Sequence, residues 1–135
     1  LLIDRAVARD DADKHFEAID DLNVAIEEAP DRAEAWLYRA AAYRHVESFD
    51  LALDDANRAV ALSQRSPEAL FERAQIKELR KDIPGARADL QSVIKLAPRS
   101  IQAQEAAKRL KTLGQATSKP PTASPPAAAP PAKKP

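Results

Sequence analysis

The stretch AEAWLYRAAAYRHVESFDLALDDANRAVALSQRS (residues 33–66) runs directly into PEALFERAQIKELRKDIPGARADLQSVIKLAPRS (residues 67–100). Laid one over the other, they place Ala35 on Ala69, Trp36 on Leu70, Arg39 on Arg73 and Ala40 on Ala74. Further along, Phe49 meets Ile83, Ala52 meets Ala86, Asp55 meets Asp89 and Leu62 meets Leu96. Residues 1–32 enter the same register. Leu2, Arg5, Ala6, Ala18, Asp21 and Ala25 each sit 34 positions before Trp36, Arg39, Ala40, Ala52, Asp55 and Ala59. A shared period of this length is the mark of a chain built from stacked supersecondary units.

Each unit holds two apolar stripes at helical spacing. In the middle unit the first is Trp36, Leu37, Ala40 and Tyr43, and the second is Phe49, Ala52, Leu53, Ala56, Ala59 and Val60. Ser48 and Asp82 stand where an N-cap is needed, and Pro84 falls in a first turn, where its missing N–H costs nothing. Breaks fall at Ala29-Pro30-Asp31, at Ser63 to Pro67 and at Ala97 to Ser100. Two helices in a hairpin approach closely only where a small side chain sits at their crossing. Ala6, Ala40 and Ala74 supply it on the first helices, and Ala18, Ala52 and Ala86 on the second.

On these residues the chain resembles the tetratricopeptide repeat family, whose pattern is Trp-x2-Leu-Gly-x2-Tyr, Ala-x3-Phe, then Pro. The middle unit reads Trp36-x2-Arg39-Ala40-x2-Tyr43, then Ala52-x3-Ala56. The last reads Leu70-x2-Arg73-Ala74-x2-Lys77, Ala86-x3-Leu90, then Pro98. The first reads Leu2-x2-Arg5-Ala6-x2-Arg9, Ala18-x3-Leu22, then Pro30, and departs at His15 and Glu28. The resemblance implies an all-α, right-handed superhelical stack of antiparallel helix hairpins. Its repeats cover 1–32, 33–66 and 67–100. A capping helix over 101–113, stopped at Gly114, completes a domain of residues 1–113, with Ala103, Ala106, Ala107 and Leu110 facing inward.

Arginine replaces the family's leucine at 5, 39 and 73, and an aspartate follows each by 16 residues, at 21, 55 and 89. In an antiparallel hairpin these positions can face each other. The expectation is a pair in every unit, Arg5–Asp21, Arg39–Asp55 and Arg73–Asp89, with the planar guanidinium gripping the carboxylate through two bonds.

Charge and composition narrow the function. The chain carries 21 basic and 21 acidic residues and two glycines, Gly85 and Gly114. Lys119, Lys133 and Lys134 lie in the tail, so residues before 114 hold 18 bases against 21 acids, a net of −3. That is no footprint for nucleic acid. No cysteine is present, so disulfides and thiolate metal sites are out, and no apolar run reaches the roughly 18 residues of a membrane span. The chain has no methionine. A processed product or excised fragment is therefore expected, and the compartment stays open between cytoplasm and export. Residues 114–135 are dominated by Pro, Ala, Ser, Thr and Lys, with Pro-Pro pairs at 120–121, 125–126 and 130–131. Disorder with polyproline II character, acting as a spacer, is expected there.

No catalytic constellation stands out. His15 and His45 each lack a ligand partner at i+4, there is no glycine-rich phosphate loop, and acid pairs such as Asp54-Asp55 read as solvated charge. Neither an enzyme nor a metal or other cofactor is expected.

The family's usual site is the concave face made by the first helices. By repeat position this face carries Ile3, Leu37 and Phe71 in one row and Val7, Ala41 and Gln75 in a second, with Glu34, Tyr38, Arg44, His45, Glu68, Glu72 and Glu78 alongside. The resemblance therefore implies a module that docks a protein or peptide segment with an apolar anchor and basic residues. Family members that bind chaperone tails grip a C-terminal carboxylate with lysine, asparagine and arginine. The matching places here are Ile3, Val7, Tyr38, Glu68 and Glu72, two of them acids. The alternative is a rigid spacer or oligomer-forming segment that uses the uncapped apolar start, Leu1-Leu2-Ile3.

Overall fold

The computed structural model describes residues 1–117, with side chains described to residue 114. The spacer expected at 118–135 lies outside the described residues. Seven helices follow in order: α1 (Leu2–Asp11), α2 (His15–Glu28), α3 (Ala33–His45), α4 (Phe49–Leu62), α5 (Pro67–Leu79), α6 (Ile83–Leu96) and α7 (Ile101–Thr117). Among the described residues there is no strand. No helix there is long and apolar enough to cross a membrane. Consecutive helices pack antiparallel, and α1, α3, α5 and α7 also touch in sequence, which makes one superhelical stack.

Each turn inside a hairpin is built the same way. Asp13, Glu47 and Lys81 have φ of 63°, 63° and 70°. Each donates its N–H to the carbonyl three residues back, one residue inside the helix end, and the following residue donates to the carbonyl one residue further back. The bonds are Asp13→Asp10 and Lys14→Arg9, then Glu47→Arg44 and Ser48→Tyr43, then Lys81→Glu78 and Asp82→Lys77. This is the Schellman motif, which satisfies the last carbonyls of a helix through one left-handed residue. Glycine usually fills that position. Here Asp, Glu and Lys fill it, so sequence reading missed the motif.

The caps divide by chemistry. Ser66 Oγ accepts from Ala69 N at 3.1 Å, Asp82 Oδ1 from Gly85 N at 3.0 Å and Ser100 Oγ from Ala103 N at 3.0 Å. Ser48 occupies the N-cap of α4, but its side chain makes no capping bond, contrary to expectation. The cap helix also differs. It does not stop at Gly114 but runs to Thr117. One helical glycine costs only about 1 kcal/mol, and Leu113, buried in the last core cluster, anchors the turn that contains it. Ala107 is exposed instead of facing inward.

The six crossing alanines, at 6, 18, 40, 52, 74 and 86, are all essentially inaccessible to water. Around them lie three clusters, one per hairpin. Leu22 anchors the first, Ile76 serves the second, and Leu90 with Val93 and Leu113 forms the third beneath α7. Leu22, Ile76, Leu90 and Val93 are the largest fully buried side chains. Truncating such a leucine costs roughly 2–5 kcal/mol.

Candidate functional site: a recurrent recess

A recess recurs with the period of the sequence, where the start of a unit's first helix meets the end of its second. Between hairpins two and three, a cavity of about 280 Å³ is lined by Leu37, Ala59, Ser63, Ser66, Ala69, Ala33, Glu34 and Glu68. Its counterpart one period earlier, about 320 Å³, has Ile3, Ala25, Ala29 and Arg32 where the other has Leu37, Ala59, Ser63 and Ser66. The third position in the row, Phe71, is closed. It packs against the C-terminal cluster, and the Arg109 guanidinium lies 5.6 Å from its ring centroid. The row Ile3, Leu37, Phe71 is therefore no continuous open strip. The cap helix reaches over its last member, which repeat position alone cannot show.

The middle recess is acidic at its rim. Glu34 and Glu68 are exposed on it, while Leu37 is half-buried at its floor. Tyr38, next along α3, packs on the first cluster. Burial pushes its phenol above the ordinary value, and the carboxylates of Glu68, Glu34 and Asp4 push it the same way. Acids from α1, α3 and α5 thus all act electrostatically on one ring, and one of them, Glu34, also meets Arg32 at 3.4 Å.

The remaining expected groove residues divide into two groups. Glu72 is buried and holds Arg44 through two contacts, at 2.5 and 3.2 Å. Glu78 accepts from Arg109 at 2.7 Å, and Arg44, Gln75, Glu78 and Arg109 surround a second, polar hollow. These side chains join α3 to α5 and α5 to α7. Ala41 is half-buried. His45 leaves the groove set. Its Nδ1 lies 2.9 Å from Asp10 Oδ2, and Asp10 Oδ1 lies 2.5 Å from His15 Nδ1. The two histidines, isolated in sequence, have ring centroids 4.9 Å apart.

Behind the groove runs a ladder of ion pairs. Arg5 donates to Asp21 at 3.0 and 2.7 Å, Arg39 to Asp55 at 2.7 and 2.9 Å, and Arg73 to Asp89 at 2.8 Å twice. These carboxylates raise all three guanidinium pKa values through hydrogen bonding. The acids respond differently. Hydrogen bonds from Arg5 hold Asp21 below the usual carboxylate range, and Arg9 adds to this. Burial pushes Asp55 above it, against the pull of Arg39. The two partners of the middle pair thus point in different senses. The contact is well formed, and desolvation of the buried acid outweighs it. Asp21 and Asp89 each have a second cation, Arg9 at 3.0 Å and Lys77 at 3.1 Å. The corresponding residue beside Asp55 is Tyr43, over whose ring the Arg39 guanidinium sits at 5.6 Å. Arg39 also lies 5.2 Å from the Trp36 ring centroid, and Trp36 Nε1 donates to the Pro30 carbonyl at 2.8 Å.

No protein-family model and no curated protein matches the sequence. Solved structures do. The first TPR domain of the human RPAP3 protein superposes with a TM-score of 0.81 at 26% identity, over 87% of this chain and 90% of that one. The fold is a tetratricopeptide-repeat array. The first TPR of Spaghetti (RPAP3), solved bound to the HSP90 peptide SRMEEVD, gives 0.81 at 25% identity over 87% and 91%. The Yersinia enterocolitica type III secretion translocator chaperone SycD shares the fold at 13% identity, with a TM-score of 0.80 over 86% of this chain and 83% of that one. These neighbours are interaction domains and chaperones, not enzymes. Within the array, the positions that would form a carboxylate clamp hold Glu68 at the recess rim and Glu72 locked to Arg44.

Proposed function

We propose that this array is a protein-interaction module, without catalysis of its own, that docks a segment carrying an aliphatic anchor and at least one lysine or arginine. The observation behind this is the recess between hairpins two and three. Leu37 offers an apolar floor, and Glu34 and Glu68 stand at the rim. An aliphatic side chain buried there gains roughly 1.5–3 kcal/mol. A flanking cation is attracted to the acids that already act on Tyr38. Several neighbours are solved with peptides, among them SRMEEVD on Spaghetti and a YopD peptide on SycD, and this supports segment docking in general. The acidic SRMEEVD tail has the wrong charge for Glu68 and Glu72, so that partner class is not proposed.

Fluorescence anisotropy with labelled peptides tests the reading. A leucine-anchored peptide with flanking lysines should bind, and its affinity should fall with salt. The charge-reversed peptide and SRMEEVD should not bind. E34K/E68K should abolish the preference, and L37A should weaken binding without unfolding the array. F71A, beneath the cap, should act on stability first. Equal binding of basic and acidic peptides would overturn the proposal.

A second reading, as an oligomer-forming segment, rests on Leu1, which is fully exposed beside the open first recess. Light scattering that shows a dimer indifferent to L37A would favour it.

A further inference from the structure

Asp10, His15 and His45 come from three helices of two adjacent hairpins and meet at one point. Asp10 is in the last turn of α1, His15 opens α2 and His45 closes α3. One candidate ligand atom from each lies within 4.8 Å of the others. The Asp10 carboxylate is shared: Oδ1 faces His15 Nδ1 at 2.5 Å and Oδ2 faces His45 Nδ1 at 2.9 Å. Their side chains are 13%, 20% and 37% exposed, so the cluster is sheltered yet reachable from solvent. Asp13 Oδ1 stands 3.7 Å from His15 Nε2 on the open side.

We propose that Asp10, His15 and His45 form a binding site for a divalent transition-metal ion, with Zn²⁺ the best match. Two imidazoles and one carboxylate are the donor set of borderline ions such as zinc, and water completes the shell. Ligand atoms around a tetrahedral zinc stand roughly 3.3 Å apart. The two Asp10 contacts, at 2.5 and 2.9 Å, are shorter than that, and all three ligand atoms lie within 4.8 Å of one another, so the carboxylate would draw back slightly from both rings to admit the ion. Two of the three contributing helix ends, those of α1 and α3, are C-termini, whose dipoles favour a cation and oppose the single N-terminus of α2. Neighbouring arginines do not compete. Arg9 is engaged by Asp21, and Arg44 by Glu72.

The ion would tie the first hairpin's turn to the second hairpin's first helix. It would fix the angle between the units that frame the groove. A ligand that binds only the folded state raises the unfolding midpoint by mass action. For a domain of this size the rise is roughly 10 °C once free metal is about a hundred times Kd.

The test uses the full chain, untagged, stripped with chelator and titrated with ZnCl₂ by calorimetry in a non-coordinating buffer. The expected result is one ion per chain, a rise in unfolding midpoint, and zinc-dependent shifts of both histidine ring resonances. H45Q, at the most exposed ligand, should leave the metal-free circular dichroism unchanged. It should cost about a hundredfold in affinity, as should D10N. Overturning results are an absence of zinc heat, a midpoint unmoved by zinc, or H15Q/H45Q binding as tightly as the parent chain.

Discussion

Replacing Arg39 by alanine leaves the Asp55 carboxylate without its cation. Asp55 is 4% exposed, and its partners are the two Arg39 bonds of 2.7 and 2.9 Å. Removing one member of a buried pair costs about 3–5 kcal/mol, because the other charge stays buried and uncompensated. Arg39→Ala also loses the 2.8 Å bond to Asn23 and the guanidinium over Trp36, so the upper half of that range applies. Total stabilities are on the order of 5–15 kcal/mol, so the variant should melt roughly 10–20 °C lower. The pH dependence follows from Asp55. Burial already raises its folded-state pKa, and without Arg39 the value climbs further. A group raised in the folded state contributes stability that is complete below its unfolded pKa, about 3.9, and is lost as pH rises through the folded value. The deficit of Arg39→Ala is therefore smallest near pH 4, where only the lost Asn23 and Trp36 contacts count, and largest at neutrality. Urea unfolding, followed by circular dichroism and Trp36 fluorescence across that range, measures it. The double variant R39M/D55L removes both charges and should lie within about 1–2 kcal/mol of the parent chain. A loss below about 1 kcal/mol at neutral pH, or a loss equal at all pH values, would refute the reasoning.

The two glycines should answer alanine substitution oppositely. Nothing lies near a Cβ added at Gly114, inside α7, so Gly114→Ala should stabilise by about 1 kcal/mol in thermal melts. A Cβ at Gly85 would overlap the Asp82 carboxylate that caps α6, so the lost cap, about 1 kcal/mol, should cancel the propensity gain there. Lys81→Gly should raise stability by about 0.5–1 kcal/mol, because the left-handed strain relieved exceeds glycine's added entropy. In a carbon-detected NMR titration, Asp55 should protonate above the free-aspartate midpoint as pH falls and Asp21 below it. Stability contributed by Asp21 is thus present above its unfolded pKa and lost as pH falls through its lower folded value. If Asp21 protonates first, the assignment of these environments fails.

What was legible in the sequence is what repeats. The period exposes the hairpins, and the 16-residue Arg-to-Asp spacing is readable because an antiparallel pair of fixed length brings those positions opposite. The rest breaks the period or hides in atypical residues. His15 and His45 are 30 apart, a separation that is neither helical nor the repeat length, so only the packing of α1, α2 and α3 unites them. The left-handed turns are invisible because Asp13, Glu47 and Lys81 stand in glycine's place. Phe71 reads as groove by repeat position. The residue that covers it, Arg109, belongs to α7, which has no partner helix after it among the described residues and packs differently from the paired helices.

The arginine ladder fastens together the helices whose residues line the recess. Arg39 grips Asp55 within its own hairpin and also donates to Asn23 on α2, while Arg73 grips Asp89 and donates to Asn57 on α4 at 3.2 Å. Each of these two rungs therefore closes one hairpin and fastens it to the one before. The next place in the period is Ala107, which is exposed and makes no such bond, so the ladder ends where the cap begins. There the stack changes fasteners, to Arg109 on Glu78 and over Phe71. Around the Leu37 recess, Arg73–Asn57 thus holds α5 to α4, and Arg44–Glu72 holds α3 to α5. Acidity at the recess mouth is affordable because these internal carboxylates are already paired. Of the two rim acids, Glu34 already meets Arg32 in an exposed contact at 3.4 Å, and Glu68 stands as the charge an incoming cation would meet first.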